Sequence, residues 1–115
     1  MAGIIELKNG DWNVSGKGFR TMVAGVSMHL PRSRAGLDVK NALALAEASA
    51  LYFLDVKNTF DYEMINEFGK ALANHIKDMK SIDIMGLYSS ELQKGYLARL
   101  MELQEMLRHH INLAE

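Results

Sequence analysis

The sequence of 115 residues contains no cysteine. This absence excludes disulfide frameworks, thiolate catalysis and zinc–thiolate sites, and we expect a reducing, cytoplasmic location. No apolar run reaches the roughly 20 residues that a membrane-spanning helix needs, and the N-terminus lacks the pattern of a secretory signal. We therefore expect no membrane partner. The chain has one proline, so few breaks are enforced and long helices are favoured.

Net charge is also scarce: the chain carries −1 at pH 7, which is too little to predict a polyanionic partner by itself. The charges are unevenly distributed, however. Residues 1–40 hold six Lys or Arg against three acids, and residues 41–115 hold seven against eleven. The N-terminal third is therefore the part of the sequence that favours an anion-facing surface.

Recognisable catalytic patterns are absent as well. The sequence has no P-loop, dinucleotide fingerprint or metal-ligand motif, so we predict no catalytic residues, no metal ligands, no cofactor and a non-enzymatic protein. The closest approach to a metal motif is Glu102, Glu105 and His109 on one predicted helix face, followed by His110. We expect Glu105 and His109 to form an ordinary i,i+4 pair instead, although the sequence leaves metal binding at His109 and His110 open.

The dipeptide Asn9-Gly10 stands between two runs that contain apolar residues, which is the strongest short-range signal of a β-hairpin. A type I′ turn centred on this dipeptide pairs Leu7 with Trp12. The apolar residues of the two strands then share one face: Ile5, Leu7, Trp12 and Val14.

Residues 19–30 are ambiguous. Two runs of period 2 with a slip at Gly25 fit a strand with a β-bulge, and the β-branched residues make a helix the poorer alternative. Because an isolated hairpin is only marginally stable, we favour a small three-stranded antiparallel sheet within residues 1–30.

Residues 37–56 are predicted to form a central helix. Between Ala42 and Leu54 only Glu47 is charged, and a helix that is apolar on nearly all sides must be covered on nearly all sides. Amphipathic helices are predicted over residues 59–80 and 90–113. We therefore expect a single α+β domain over residues 1–115, in which the hairpin or small three-stranded sheet packs on a three-helix bundle with a buried central helix.

The two amphipathic helices differ in the width of their apolar stripes. Helix 59–80 has one clean stripe: Ile65, Phe68, Leu72, Ile76 and Met79. The stripe of helix 90–113 is wider than one neighbour requires, which favours a homodimer. Its predicted dimer interface is Tyr96, Leu100, Leu103, Leu107 and Ile111.

Our leading functional hypothesis is a small protein-interaction module that acts as an adaptor, regulator or inhibitor of another macromolecule. Aromatic and arginine side chains are over-represented at binding hot spots. The predicted partner-binding residues are Trp12, Lys17, Arg20, Arg32 and Arg34.

Two alternatives belong to other functional classes. The first is a nucleic-acid-associated regulator, which requires the basic residues of the N-terminal third to converge on one sheet face with Trp12 or Phe19 exposed for stacking. The second is a small-molecule-binding or enzymatic domain with a pocket between sheet and helices.

Overall fold

The computed structural model describes residues 2–49, 52–84 and 91–114, with the backbone alone described for residues 82–84, 91–93 and 111–114. The elements in chain order are β1 (Ala2–Leu7), β2 (Gly10–Ser15), α1 (Gly16–Ser27), α2 (Arg34–Ala48), β3 (Phe53–Asp55), α3 (Val56–Thr59), α4 (Tyr62–Ile84) and α5 (Glu91–Ala114). In the described residues these elements build a three-stranded mixed sheet and five helices. The predicted α+β class is confirmed.

Strands β1 and β2 form the predicted antiparallel hairpin, but with a different turn. Leu7 pairs with Gly10 instead of Trp12, so the turn residues are Lys8 and Asn9. Both lie at negative φ and Gly10 takes φ 130°, whereas a type I′ turn needs positive φ at both central residues. Because the register differs from the predicted one by two residues, the apolar side chains stay on the predicted face.

Residues 16–27 form helix α1, so the predicted strand over residues 19–30 is wrong. The Ser15 hydroxyl starts the helix by accepting a hydrogen bond from the Gly18 N–H at 3.0 Å. The large buried residues recur at positions i, i+3, i+4 and i+7 of a helix: Phe19, Met22, Val23 and Val26. Gly25 is not a bulge; it lies in the helix beside the ring of His75.

Helix α2 begins earlier than the predicted central helix, at Arg34, and ends at Ala48. It is covered on one side only, because Leu37 is 47% exposed and Leu45 is 71% exposed. The alanine and leucine content therefore indicated helix propensity and not burial. We expected the other elements to enclose this helix, but they do not enclose α2.

The third strand, β3, occupies the last turn of that predicted helix. It pairs in parallel with β1, and the strand order is β2-β1-β3. The expectation of an all-antiparallel sheet within residues 1–30 is therefore wrong. Aromatic and apolar residues such as Phe53 and Leu54 suit a strand. A parallel pair also needs a long crossover connection, which α1 and α2 supply.

Helix α4 replaces the predicted helix 59–80. It starts at Tyr62, where the Asp61 carboxylate accepts the Met64 N–H at 2.9 Å, and it continues past residue 80 to Ile84. Its predicted apolar stripe is confirmed, with Met79 partly buried and the others buried: Ile65, Phe68, Leu72 and Ile76. Helix α5 closely matches the predicted helix 90–113.

The sheet is covered on one face. Helices α1 and α5 pack on its inner face, and α4 packs on α1, α2 and α5. The side chains of β1 alternate between buried and partly exposed, as expected for a sheet with one solvated face. The hydrophobic core therefore lies between the inner face of the sheet and the helices.

The close contact at Gly25 generates a stability prediction. In Gly25→Ala the added methyl group would overlap the buried His75 ring, so we expect the free energy of unfolding to fall by about 1–3 kcal/mol, as for other overpacked sites. Gly69→Ala in α4 is the control, because its methyl group would contact nothing within 4 Å. It is expected to stabilise by about 0.4–1 kcal/mol. Urea unfolding measures both, and a shift of the same sign in the two variants would contradict the packing at Gly25.

Candidate interaction surface

Trp12 does not lie on the surface. Its side chain is fully buried, and its indole N–H donates a hydrogen bond to the Arg99 carbonyl at 2.7 Å. Trp12 pairs with Ile5 across the hairpin, so it points to the face that α5 covers. The expected exposure of Trp12 is therefore wrong, and in this structure no partner can reach it. The shared apolar face with Ile5 was the signal for burial.

The other four predicted partner-binding residues are exposed, and they lie in two separate places. Lys17 and Arg20 lie in the first turns of α1. Arg32 lies in the connection after α1, and Arg34 is the first residue of α2. The length of α1 from Lys17 to Ser27 is about 15 Å at the helical rise of 1.5 Å per residue. The structure therefore does not bring the four basic residues together.

Lys17 and Arg20 line an open cleft of about 400 Å³ together with Ser15, Gly16 and Tyr52. We call this site the Lys17–Arg20 cleft. The Tyr52 ring stacks on the buried Phe19 ring, with 5.5 Å between ring centroids. The sequence pattern does not indicate Tyr52 as a site residue, because residue 52 falls inside the predicted central helix.

The electrostatics of the cleft favour an anion. Neither Lys17 nor Arg20 forms an ion pair with any described residue. The first turn of α1 contains no acid, so Lys17 lies at the positive end of the helix dipole without compensation, which is unfavourable for the fold. Arg20 follows in the second turn. The Gly18 N–H is already bonded to the Ser15 hydroxyl, so this amide is not available to an anion, and the two charged side chains supply the attraction.

The outer face of the sheet has the opposite charge. Asp11, Glu6 and Asp55 are direct neighbours across the three strands, and Lys57 is the cation beside them, with its Nζ 4.0 Å from Glu6. Phe19 is as fully buried as Trp12. The condition that we set for a nucleic-acid platform, a basic sheet face with an exposed aromatic ring, is therefore not met by the described residues.

The predicted pair of Glu105 and His109 is confirmed, with 3.6 Å between the carboxylate and the ring. His110 is buried instead, and its Nδ1 accepts a hydrogen bond from the Lys8 backbone N–H at 3.0 Å. Among the described residues, no three His, Asp or Glu side chains are arranged to hold a metal ion. Burial lowers the pKa of His110, and the nearby Lys8 charge lowers it further.

Two further histidine contacts involve α4: one joins it to the turn after α1, and the other joins it to α5. His29 Nε2 is 2.6 Å from the Asp78 carboxylate, and His75 Nε2 is 2.7 Å from the Tyr96 hydroxyl. Burial lowers the pKa of His75, although the Asp78 charge opposes that shift, and burial raises the pKa of Tyr96. Within the described residues the His29 ring bonds to no serine or threonine hydroxyl, so a serine-type nucleophile–base pair is not formed there.

The stripe that we predicted as a dimer interface is used by the protein's own core. Leu100, Leu103 and Leu107 are buried within one copy of the chain, and Tyr96 is bonded to His75. The side chain of Ile111 lies outside the described residues. The stripe is wide because α5 contacts both α4 and the sheet, so its width has an explanation that needs no second copy.

The charge pattern of α1 generates a second prediction. Lys17→Glu replaces a cation at the positive helix end by an anion, so we expect the free energy of unfolding to rise by about 0.3–1 kcal/mol at low ionic strength. The control is Lys77→Glu, an exposed lysine inside α4, where the dipole term is small. Urea unfolding at low and high salt measures both. A gain in Lys77→Glu as large as in Lys17→Glu would show that net charge, and not the helix dipole, is responsible.

Comparison of the chain with protein-family models, with curated proteins and with solved structures finds no match. None of the described helices combines the length and the hydropathy that crossing a bilayer requires. A functional interpretation of this protein therefore depends on the geometry and the charges described above, chiefly those of the Lys17–Arg20 cleft.

Proposed function

We propose that this protein is a non-enzymatic interaction module that binds an acidic segment of a partner protein in the Lys17–Arg20 cleft. One observation carries the proposal: two cations without ion-pair partners among the described residues line a concave surface beside an aromatic ring. The adaptor, regulator or inhibitor role predicted from the sequence is retained in this narrower form, and a cytoplasmic location remains a prediction.

The chemistry of the cleft suits carboxylates. The Arg20 guanidinium offers a planar pair of N–H donors that matches a carboxylate, and the Lys17 ammonium acts as a compact point charge. Tyr52 adds an aromatic face for an apolar residue of the same segment. The cleft is small and open, so we expect a weak, rapidly formed complex in which electrostatic attraction mainly raises the association rate.

The scaffold beneath the cleft supports this use. Phe19 and Met22 anchor α1 in the core, so the helix that carries both cations is held rigidly. An uncompensated cation in the first turn of a helix, as at Lys17, reduces stability, and residues that oppose a local stability rule are expected at functional sites. A binding role accounts for the placement of Lys17 at this helix end.

A protein partner is favoured over nucleic acid. The cleft contains two cations, and the other two predicted basic residues, Arg32 and Arg34, lie beyond the far end of α1. Single-stranded nucleic acids are bound by basic grooves that follow the backbone, with aromatic rings for stacking. Here the acidic row of Asp11, Glu6 and Asp55 occupies the outer sheet face, which repels a long polyanion.

The proposal is tested by fluorescence anisotropy with a labelled oligoglutamate peptide of about ten residues. Lys17→Glu/Arg20→Glu should weaken binding by roughly tenfold or more, and higher salt should weaken the wild-type complex. The matched control is Lys77→Glu/Lys80→Glu, which reverses two exposed lysines of the same i,i+3 spacing on α4 and changes the net charge equally.

Equal weakening in the two double variants would contradict the cleft, because it would show attraction by net charge alone. The nucleic-acid alternative would be favoured if a single-stranded oligonucleotide bound more tightly than the peptide and if this binding were also lost in Arg32→Glu/Arg34→Glu. Binding of a free dicarboxylate as strong as that of the peptide would favour the small-molecule alternative. Light scattering on the same samples tests the predicted homodimer, which remains a prediction without an assigned face.

A further inference from the structure

Two hydrogen bonds join the N-terminal hairpin to helix α5, which lies at the other end of the sequence. The Trp12 indole N–H donates to the Arg99 carbonyl at 2.7 Å, and the Lys8 backbone N–H donates to His110 Nδ1 at 3.0 Å. Between Arg99 and His110 three leucines of α5 pack into the core. His110 is 1% exposed, whereas Lys8 is exposed, so this second bond lies at the boundary between the core and the surface.

The Lys8 bond requires His110 to be uncharged. A neutral imidazole accepts at one ring nitrogen, whereas an imidazolium carries a proton on both and cannot accept. Protonation of Nδ1 therefore removes the acceptor, and the new Nδ1–H group then faces the Lys8 backbone N–H. It also creates a charge in a buried site beside the Lys8 ammonium, which disfavours the closed contact through both desolvation and repulsion.

The acids of the surrounding elements are exposed or paired elsewhere. On α5, Glu105 pairs with Arg108 and His109. In the hairpin, Glu6 and Asp11 belong to the outer sheet face. On α4 the acidic residues of the first turns are Glu63, which is exposed, and Glu67, whose carboxylate is 3.9 Å from the Lys70 ammonium.

We propose that the His110–Lys8 hydrogen bond is an acid-released latch, which holds the C-terminal half of α5 on the hairpin and opens when His110 is protonated. Opening loosens the C-terminal half of α5 beside the hairpin turn and admits water to the apolar surface next to Trp12, while the Trp12–Arg99 bond and the helices persist. The proposal is independent of the Lys17–Arg20 cleft, since no residue is shared between the two.

His75 is the other buried histidine, and it differs in its chemistry. Its Nε2 contacts a hydroxyl, Tyr96, and a hydroxyl can either donate or accept. A protonated His75 therefore keeps this bond, and Asp78 is close enough to favour its charged form. The residues that face His75 from this side are Gly25 of α1 and His29, which follows α1. His75 thus serves as the internal comparison for the latch.

The sign of the expected pH dependence follows from the lowered pKa of His110. The unfolded chain binds this proton near the ordinary value of 6.5 and the closed state binds it at a lower pH. Stability from the closed latch is therefore complete above pH 6.5. It declines as the pH falls below 6.5, and the decline ends below the pKa of the closed state.

Trp12 is the one tryptophan of the chain, so its fluorescence reports on the α5–hairpin contact. We expect its emission maximum to shift to longer wavelength as the pH falls from about 7.5 to about 5, with a midpoint below 6.5 and with far-UV circular dichroism nearly unchanged. His110→Asn places an uncharged acceptor near the position of Nδ1 and should abolish the shift. His109→Asn, the exposed neighbour, should retain it.

The latch would be overturned by a flat wild-type titration, or by a shift that persists in His110→Asn. If the shift were lost in His75→Gln and retained in His110→Asn, the transition would belong to His75. If the wild-type far-UV signal were lost in parallel with the shift, the transition would be global unfolding instead of opening. If His110→Asn does not fold, the wild-type Lys8 amide resonance provides the test by NMR. It should move with the same midpoint as the His110 ring protons, and a different midpoint would overturn the proposal.

Discussion

The packing of the N-terminal hairpin on helix α5 is the contact on which the rest of the structure depends. A two-stranded hairpin is marginally stable by itself, and α5 carries a leucine stripe that must be covered. Trp12 stabilises the hairpin and covers α5 at the same time, because its ring is fully buried and its indole N–H is bonded to the Arg99 carbonyl of α5. The contact joins residues 87 positions apart, so its loop-closure entropy must be offset by the apolar area that it buries.

This contact also determines which surfaces remain for function. With α1 and α5 on the inner face of the sheet, the outer face stays in water, and the acids of the three strands lie there in a row. The basic residues are carried instead by α1 and by the connection to α2. The charge asymmetry visible along the sequence therefore becomes, in three dimensions, an acidic sheet face and a separate basic cleft at the start of α1.

Local patterns predicted those parts of the fold that depend on near neighbours. The Asn9-Gly10 signal located the hairpin, and the spacing from Ile65 to Met79 located the buried face of α4. The failures have a common cause in distant contacts. Residues 19–30 fit both a period of 2 and a helical period, and only packing on β1 and α4 decides for the helix. Strand β3 follows an alanine-rich run with a helical pattern, and its pairing depends on β1, about 50 residues earlier. Local spacing therefore does not indicate it.

The candidate site was predictable only where it depends on residues that are near in sequence. The exposure of Lys17 and Arg20 followed from their charge, and their proximity followed from the i,i+3 spacing. Tyr52 joins them through its stacking on Phe19, and no local spacing connects residues 19 and 52. The same holds for His29 and Asp78, which lie 49 positions apart. No sequence spacing indicates a partner for His29, because Asp78 reaches it only through the packing of α1 on α4.

Buried polar groups define the position of α5 more sharply than its leucines do. Apolar contacts are nearly non-directional, so a stripe such as Leu100, Leu103 and Leu107 tolerates small rotations and shifts along the helix axis. Three hydrogen bonds spaced along α5 remove that freedom, since each needs correct distance and angle: Tyr96 to His75, Arg99 to Trp12, and His110 to Lys8. Burying two imidazoles is unfavourable unless their bonds are made. Alternative registers of α5 would leave those groups unpaired, and the histidines thereby favour one arrangement over its neighbours.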